Sequence, residues 1–365
     1  MKWSWKVAKI AGIDVFIHST FFILIAWIGF SYWVSERSLN AVANGVVFIL
    51  LLFLFVLMHE FGHALAAKKF GISTRDITLL PIGGLARLER MPREPKQELW
   101  VALAGPLVNL VLAVLLFGWL FLTNGLSGLT STSLTEGSLL QRLAIVNLTL
   151  LLFNLIPAFP MDGGRVLRAF LAMRMEYTQA TQTAATIGQG FALIFGLIGL
   201  LTNPFLIFIA LFVWIGASQE ASSVQVKEAI SGIPIKRAML TQFQTLEHHQ
   251  RLSDAVDAIL TSYQQDFPVM KGDEMVGILT RSALVQGLAK EGPTANIASV
   301  MDQSFVTADG DEMLERVSER LQTCGCHTVP IFENQQLIGL VTMENIGEFM
   351  MIQSALKRSA SKQAV

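Results

Sequence analysis

The chain has 365 residues, 52% hydrophobic and 15% charged, with a mean hydropathy of +0.52. Soluble domains carry about 25% charged residues, so this composition excludes an ordinary soluble protein and belongs in a membrane. A net charge of -1 gives no overall basic field for nucleic acid, and Cys324 and Cys326, one residue apart, offer neither a disulfide framework nor a four-ligand zinc site, so they are read as reduced.

The N-terminal residues Lys2 and Lys6 are basic, but no cleavage signal follows closely, so the first apolar segment is expected to remain as a span. A helix of roughly 20 residues crosses a hydrocarbon layer of about 30 Å. About six segments approach that length, near 15–34, 43–67, 99–122, 140–156, 183–201 and 204–217. The fourth is broken by proline and glycine, and the sixth is short. Between the second and third, residues 72–90 contain the turn-forming Pro81-Ile82-Gly83-Gly84 and read as a re-entrant β-hairpin, with a plain cytoplasmic loop as the alternative.

Lys and Arg crowd alternate connections. Lys2, Lys6 and Lys9 precede the first span, seven cations from Lys68 to Lys96 follow the second, Arg165, Arg168 and Arg174 follow the fourth, and Lys227, Lys236 and Arg237 follow the sixth. Under the positive-inside rule these sides, and both termini, are cytoplasmic. The connections around 35–40 and 123–137 are poor in cations and face outward.

Beyond residue 217 the pattern becomes that of a soluble α/β module with an internal repeat. Met239 and Met301, Pro268 and Pro330, Gly277 and Gly339, and Thr280 and Thr342 are each 62 residues apart. The expected organisation is a membrane domain over 1–220, a linker over 221–233, repeats over 234–290 and 295–350, and a tail over 351–365 that lacks order from Lys357.

The chemistry concentrates in the spans. His59-Glu60-Phe61-Gly62-His63 is an H-E-x-x-H sequence, which on a helix puts both imidazoles on one face, able to share a zinc ion, with Glu60 beside the open position. A solvated helix face would explain the pattern in a soluble protein, but an acidic group at the centre of an apolar helix costs roughly 2.5–3.5 kcal/mol. His59 precedes Lys68 by nine residues, about 13 Å inside the helix end. A catalytic zinc takes three protein ligands, and the best third candidate is Asp162, where Pro157, Pro160, Gly163 and Gly164 break the fourth span. Irregular backbone at membrane depth is tolerated where it lines a polar cavity; helix capping by Asp162 is compatible with ligation.

With Asn154, Pro157, Asp162 and Gly163 forming N-x-x-P-x-x-x-x-D-G in addition, the chain resembles the site-2 protease family of intramembrane metalloproteases over roughly residues 1–220. That resemblance implies one zinc ion per chain held by His59, His63 and Asp162, Glu60 as catalytic base, and cleavage of a transmembrane segment in a membrane-anchored substrate. It also implies that β-structure near 72–90 engages the substrate, unwound into an extended form. Asn154 is a candidate for the oxyanion or for substrate, with helix packing as its alternative role, and His18 is a further candidate beside an interfacial structural role. Ala104-Gly105-Pro106-Leu107-Val108-Asn109 resembles another family segment, expected to support close helix packing, with Asn109 bonding across. With no inserted domain between the third and fourth spans, the chain is similar to the sporulation-type subgroup.

The repeats resemble a tandem of cystathionine-β-synthase-type domains. This implies an adenine nucleotide in the cleft between them, faced by Thr280 and Thr342, but the acidic residue of the family's segment is replaced by Ala283 and Asn345. A structural role or homodimerisation is the other reading. The expected fold is therefore a polytopic α-helical membrane protein with a re-entrant hairpin and a C-terminal α/β pair. The rival functions are a catalytically silent membrane scaffold or sensor, against which the complete ligand set stands, and a metal transporter, which should carry more carboxylates along its spans.

Overall fold

A computed structural model describes residues 3–125 and 137–363, so most of the connection expected to face outward at 123–137 lies outside the described residues. The chain forms two compact units, Met1–Val224 and Gln225–Val365.

The first unit opens with strands β1 (Ser4–Ile10) and β2 (Ile13–His18), followed by helices α1 (Ser19–Glu36) and α2 (Leu39–Lys69). The first apolar segment therefore splits. Residues 13–18 are strand because the turn at Ala11 and Gly12, both with positive φ, folds β2 back on β1, and the helix begins only after His18. Strands β3 (Thr74–Leu80) and β4 (Gly83–Leu88) form the expected hairpin. They complete a four-stranded sheet of order β1-β2-β3-β4 in which β2 and β3 run parallel and β4 is an edge.

Helices α3 (Pro95–Asn124), α4 (Leu139–Asn154), α5 (Asp162–Ala172), α6 (Tyr177–Leu201) and α7 (Phe205–Ile230) follow. Among the described residues, α1, α2, α3, α6 and α7 are long and apolar enough to cross a membrane, and α4 is a shorter apolar helix. The sixth apolar segment is longer than expected, since α7 runs on through most of the anticipated linker to Ile230. In the broken fourth span, residues 155–161 fold over the first turn of α5. A Cβ at Gly163 would strike the Leu155 and Ile156 carbonyls, and one at Gly164 the Ala158–Phe159 backbone. Asn147 of α4 donates to the Asn109 carbonyl of α3 at 2.7 Å, so the bond expected at Asn109 is made by its backbone.

The second unit repeats one motif: β5 (Leu246–Glu247), α8 (Leu252–Thr261), β6 (Phe267–Lys271), β7 (Glu274–Leu279), α9 (Arg281–Lys290), then β8 (Ala308–Asp309), α10 (Leu314–Cys324), β9 (Thr328–Glu333), β10 (Gln336–Thr342), α11 (Met343–Gln363). Each repeat is completed by the other's leading segment. Leu240 exchanges both backbone bonds with Leu340, and Asp302, 62 residues later, does so with Ile278. Met239 lies against Gly339 and Met301 against Gly277, which is why glycine and methionine recur at these positions. Two expectations are corrected. The tail continues as helix to Gln363, and Cys324 and Cys326 are joined as a disulfide, because Gly325 takes a left-handed turn that brings the two side chains together.

Candidate metal centre

In α2, His59 and His63 lie one turn apart on the buried face, and α5 begins with Asp162 against them. The three ligand atoms form a near-equilateral triangle: His63 Nε2 to His59 Nε2 is 3.0 Å, His59 Nε2 to Asp162 Oδ2 is 3.1 Å, and His63 Nε2 to Asp162 Oδ2 is 3.2 Å. A tetrahedral zinc with nitrogen and oxygen bonds of 2.0–2.2 Å separates its ligands by about 3.3 Å, so the triangle is of the right size. All three residues are buried.

The donor chemistry also fits. His63 donates from Nδ1 to the Val101 carbonyl of α3 at 2.7 Å, which leaves a lone pair on Nε2 of the neutral ring. That lone pair points at a carboxylate oxygen and at the Nε2 of His59. Acceptor atoms gathered this closely in a buried pocket call for a cation between them. Gly105 of α3 supplies the room, since a Cβ there would overlap both Nε2 atoms. The other Asp162 oxygen lies 4.0 Å from Arg165.

Glu60, half-buried, accepts a bond through Oε2 from the Ala86 N–H at 3.1 Å. Ala86 belongs to the edge strand β4, and Gly84 two residues before it permits this approach, because a Cβ there would collide with the Glu60 side chain. The hairpin expected at 72–90 thus touches the base itself.

Asn154 ends α4, half-buried, and its amide has no partner among the described residues. His18 ends β2, immediately before α1. Its Nδ1 caps α1 by accepting from the Thr20 N–H and pairs with the Thr20 hydroxyl at 2.8 Å, at the strand-to-helix junction.

Arg168 was counted above among cytoplasmic loop cations. It is buried on α5, bonded to Glu98 of α3 at 2.7 Å and to Glu220 of α7 at 2.5 Å. Sequence gave little sign of this, since a cation after a span is ordinarily a topology marker.

In the second unit a cleft of about 1010 Å³ is lined by Phe243, Tyr263, Asp266, Thr328, Thr342 and Asn345, among others. Thr342 reaches it, with its hydroxyl donated to Asn345 at 2.7 Å. Thr280 is not among its lining residues; its hydroxyl caps α9 by accepting from Ala283 N–H at 3.2 Å, as the Thr342 hydroxyl accepts from Asn345 N–H at the equivalent place. Three acidic residues line the cleft, Asp266, Glu344 and Glu348, and of these Asp266 accepts from Thr328 at 2.7 Å. These two positions are themselves 62 residues apart, so equivalent sites of the repeats meet.

Comparison with known proteins follows the same division. The model described as peptidase family M50 matches residues 47–136 and 130–197, and the CBS domain model matches 297–351. A zinc metalloprotease of Methanocaldococcus jannaschii is 34% identical over 354 residues, covering 96% of this chain and 97% of that protein. Stage IV sporulation protein FB of Bacillus subtilis is 30% identical over 149 residues, 40% of this chain and 48% of that one. The solved site-2 protease from Methanocaldococcus jannaschii is 39% identical and covers 60% of this chain and 95% of its own, with a TM-score of 0.43.

Proposed function

Because the chain belongs to peptidase family M50, the site-2 protease family of intramembrane zinc metalloproteases, we propose that His59, His63 and Asp162 hold one zinc ion per chain and that Glu60 is the catalytic base. The observation that carries this reading is the triangle of ligand atoms at 3.0–3.2 Å, closed around space that Gly105 leaves open. When bound, zinc supplies Lewis acidity, which brings a water's pKa toward neutrality and polarises the scissile carbonyl.

The side chains do the rest. With Oε2 held by Ala86, Glu60 receives the water's proton on Oε1 and returns it to the leaving amine. The amide of Asn154 holds the unwound peptide or the developing oxyanion. An extended substrate segment adds to the outer edge of β4, beside the base, because a helix conceals its peptide bonds and must be opened before attack. The substrate is a membrane protein cleaved within its transmembrane segment. Both chain termini lie in the cytoplasm, a topology that reporter fusions at each end would test.

In the second unit, the cleft beside Thr342 is of a size that takes a small ligand, and an adenine nucleotide is the occupant we assign to it, without Thr280. Homodimerisation through this unit accords with the exposed Met351 and Ile352 on α11, and light scattering of the detergent-solubilised chain tests it.

The deciding experiment compares purified wild-type and Glu60→Gln protein on a reconstituted membrane-anchored substrate, with zinc measured by elemental analysis. Loss of the base should slow cleavage by about 10²–10⁴-fold while one zinc per chain is retained. Equal rates, or a wild-type protein without zinc, overturn the reading.

A further inference from the structure

Arg168 is the most enclosed cation among the described residues, at 1% exposure, and its surroundings are unusual for a structural ion pair. Its Nε and Nη2 both bond one oxygen of Glu98, at 2.7 and 2.6 Å, and Nη1 bonds Glu220 at 2.5 Å. The guanidinium also lies over the rings of Phe159, at 5.1 Å, and Tyr177, at 5.0 Å. One side chain therefore joins α3, α5, α6, α7 and the loop that leads into Asp162. An apolar group of similar volume would hold these helices with less desolvation. What it would not supply is a fixed geometry, which a planar fork with several donors does.

The elements it joins are those that present the metal ligands. Arg168 sits six residues after Asp162, about 9 Å along the same helix, and Phe159 lies three residues before Asp162, in the segment that leads into that helix. Glu98, Val101 and Gly105 recur at one and two turns along α3, so the face that holds the guanidinium also accepts the His63 Nδ1 bond and leaves room at both Nε2 atoms. Moving α5 relative to α3 by even a fraction of an ångström would spread the ligand triangle. Glu220 enters from α7, the helix that continues to Ile230.

We propose that Arg168 is a positioning residue for the metal centre: through Glu98 and Glu220 it sets the placement of Asp162 against His59 and His63. The proposal rests on the zinc reading above and can fail independently of it.

The test uses the full-length protein in detergent, with Arg168→Lys and Glu220→Ala. The lysine variant keeps the charge and loses the fork. The alanine variant removes a partner that is one-third exposed, so it folds even if the lysine variant does not. Zinc affinity is measured by chelator competition, together with kcat, KM and thermal unfolding. Zinc affinity should weaken about 10–100-fold, as for partners that orient metal ligands, and kcat should fall with KM within twofold. Variants that unfold earlier yet keep wild-type zinc affinity and kcat would show a packing role only and overturn the proposal. A wild-type chain that binds no zinc would overturn the metal reading, and this proposal with it.

Discussion

In the first unit many exposed side chains are large and apolar, such as Trp27, Leu122 and Leu200, while Glu98, Arg168, His59 and Asp162 are enclosed. In the second unit Leu252, Val269, Leu314 and Val329 are enclosed, and the ion pairs of Lys236 with Glu333 and of Lys227 with Glu319 lie at the surface. Apolar groups turn toward apolar surroundings in both, but in the first unit those surroundings are lipid. Where no water can solvate a charge, each polar group must find a partner inside. Interior ionisable groups such as His59, His63, Asp162, Glu98 and Arg168 therefore gather with partners in the first unit, whereas surface charges in the second carry little individual weight.

The largest effect expected from this contrast is at Gly105. Gly105→Val would drive a branched side chain into both imidazole Nε2 atoms. Zinc should be lost on dialysis and cleavage should fall at least about 10²-fold, in keeping with loss of a metal and its activated water. Elemental analysis and a cleavage assay check both. Retained zinc would mean that the enclosure of the centre tolerates crowding, and the contrast between units would blunt.

The same contrast explains what the sequence disclosed. His59, Glu60, His63 and Asp162 were legible because ionisable groups within apolar runs have few innocent explanations, and the repeat was legible because Met239, Gly277 and their counterparts make contacts that constrain them. Residues 15–18 differ from expectation because β2 alternates with apolar Val15 and Ile17 directly before an apolar helix, and a hydropathy window merges the two. Arg168 stayed hidden because its partners, Glu98 and Glu220, lie 70 and 52 residues away in sequence. Asp266 stayed hidden for the opposite reason: in a charged, water-facing module one more Asp carries no signal until its bond to Thr328 is seen.

That bond sets the next prediction. Asp266 is buried, and it accepts both from Thr328 and, at 3.3 Å, from the Arg281 N–H. Asp266→Ala leaves a buried hydroxyl unpaired, a cost of about 1–3 kcal/mol. Calorimetry of the full-length chain should show the second unit's transition lowered, with zinc content unchanged. Asp266→Asn, which keeps an acceptor, should lose less. An asparagine variant as unstable as the alanine one would point to charge rather than hydrogen bonding.

The smallest effect is expected at Lys236, where an exposed ammonium is shared by Glu333 and, at 3.6 Å, Asp311. The hydrogen bond to Glu333 raises its pKa above the ordinary lysine value, with both carboxylate charges adding to the shift. A raised cationic pKa gives a contribution that is fully present below the unfolded-state value and lost as pH rises through the folded-state value, so any benefit belongs to neutral pH and fades only in strong alkali. Exposure and salt screening keep it slight. Lys236→Met should leave the second unit's transition within measurement scatter at physiological salt, and lower it detectably only at low ionic strength and below the lysine titration. A loss as large as that of Asp266→Ala, persisting in high salt, would mean that this surface pair behaves like the enclosed pairs of the first unit.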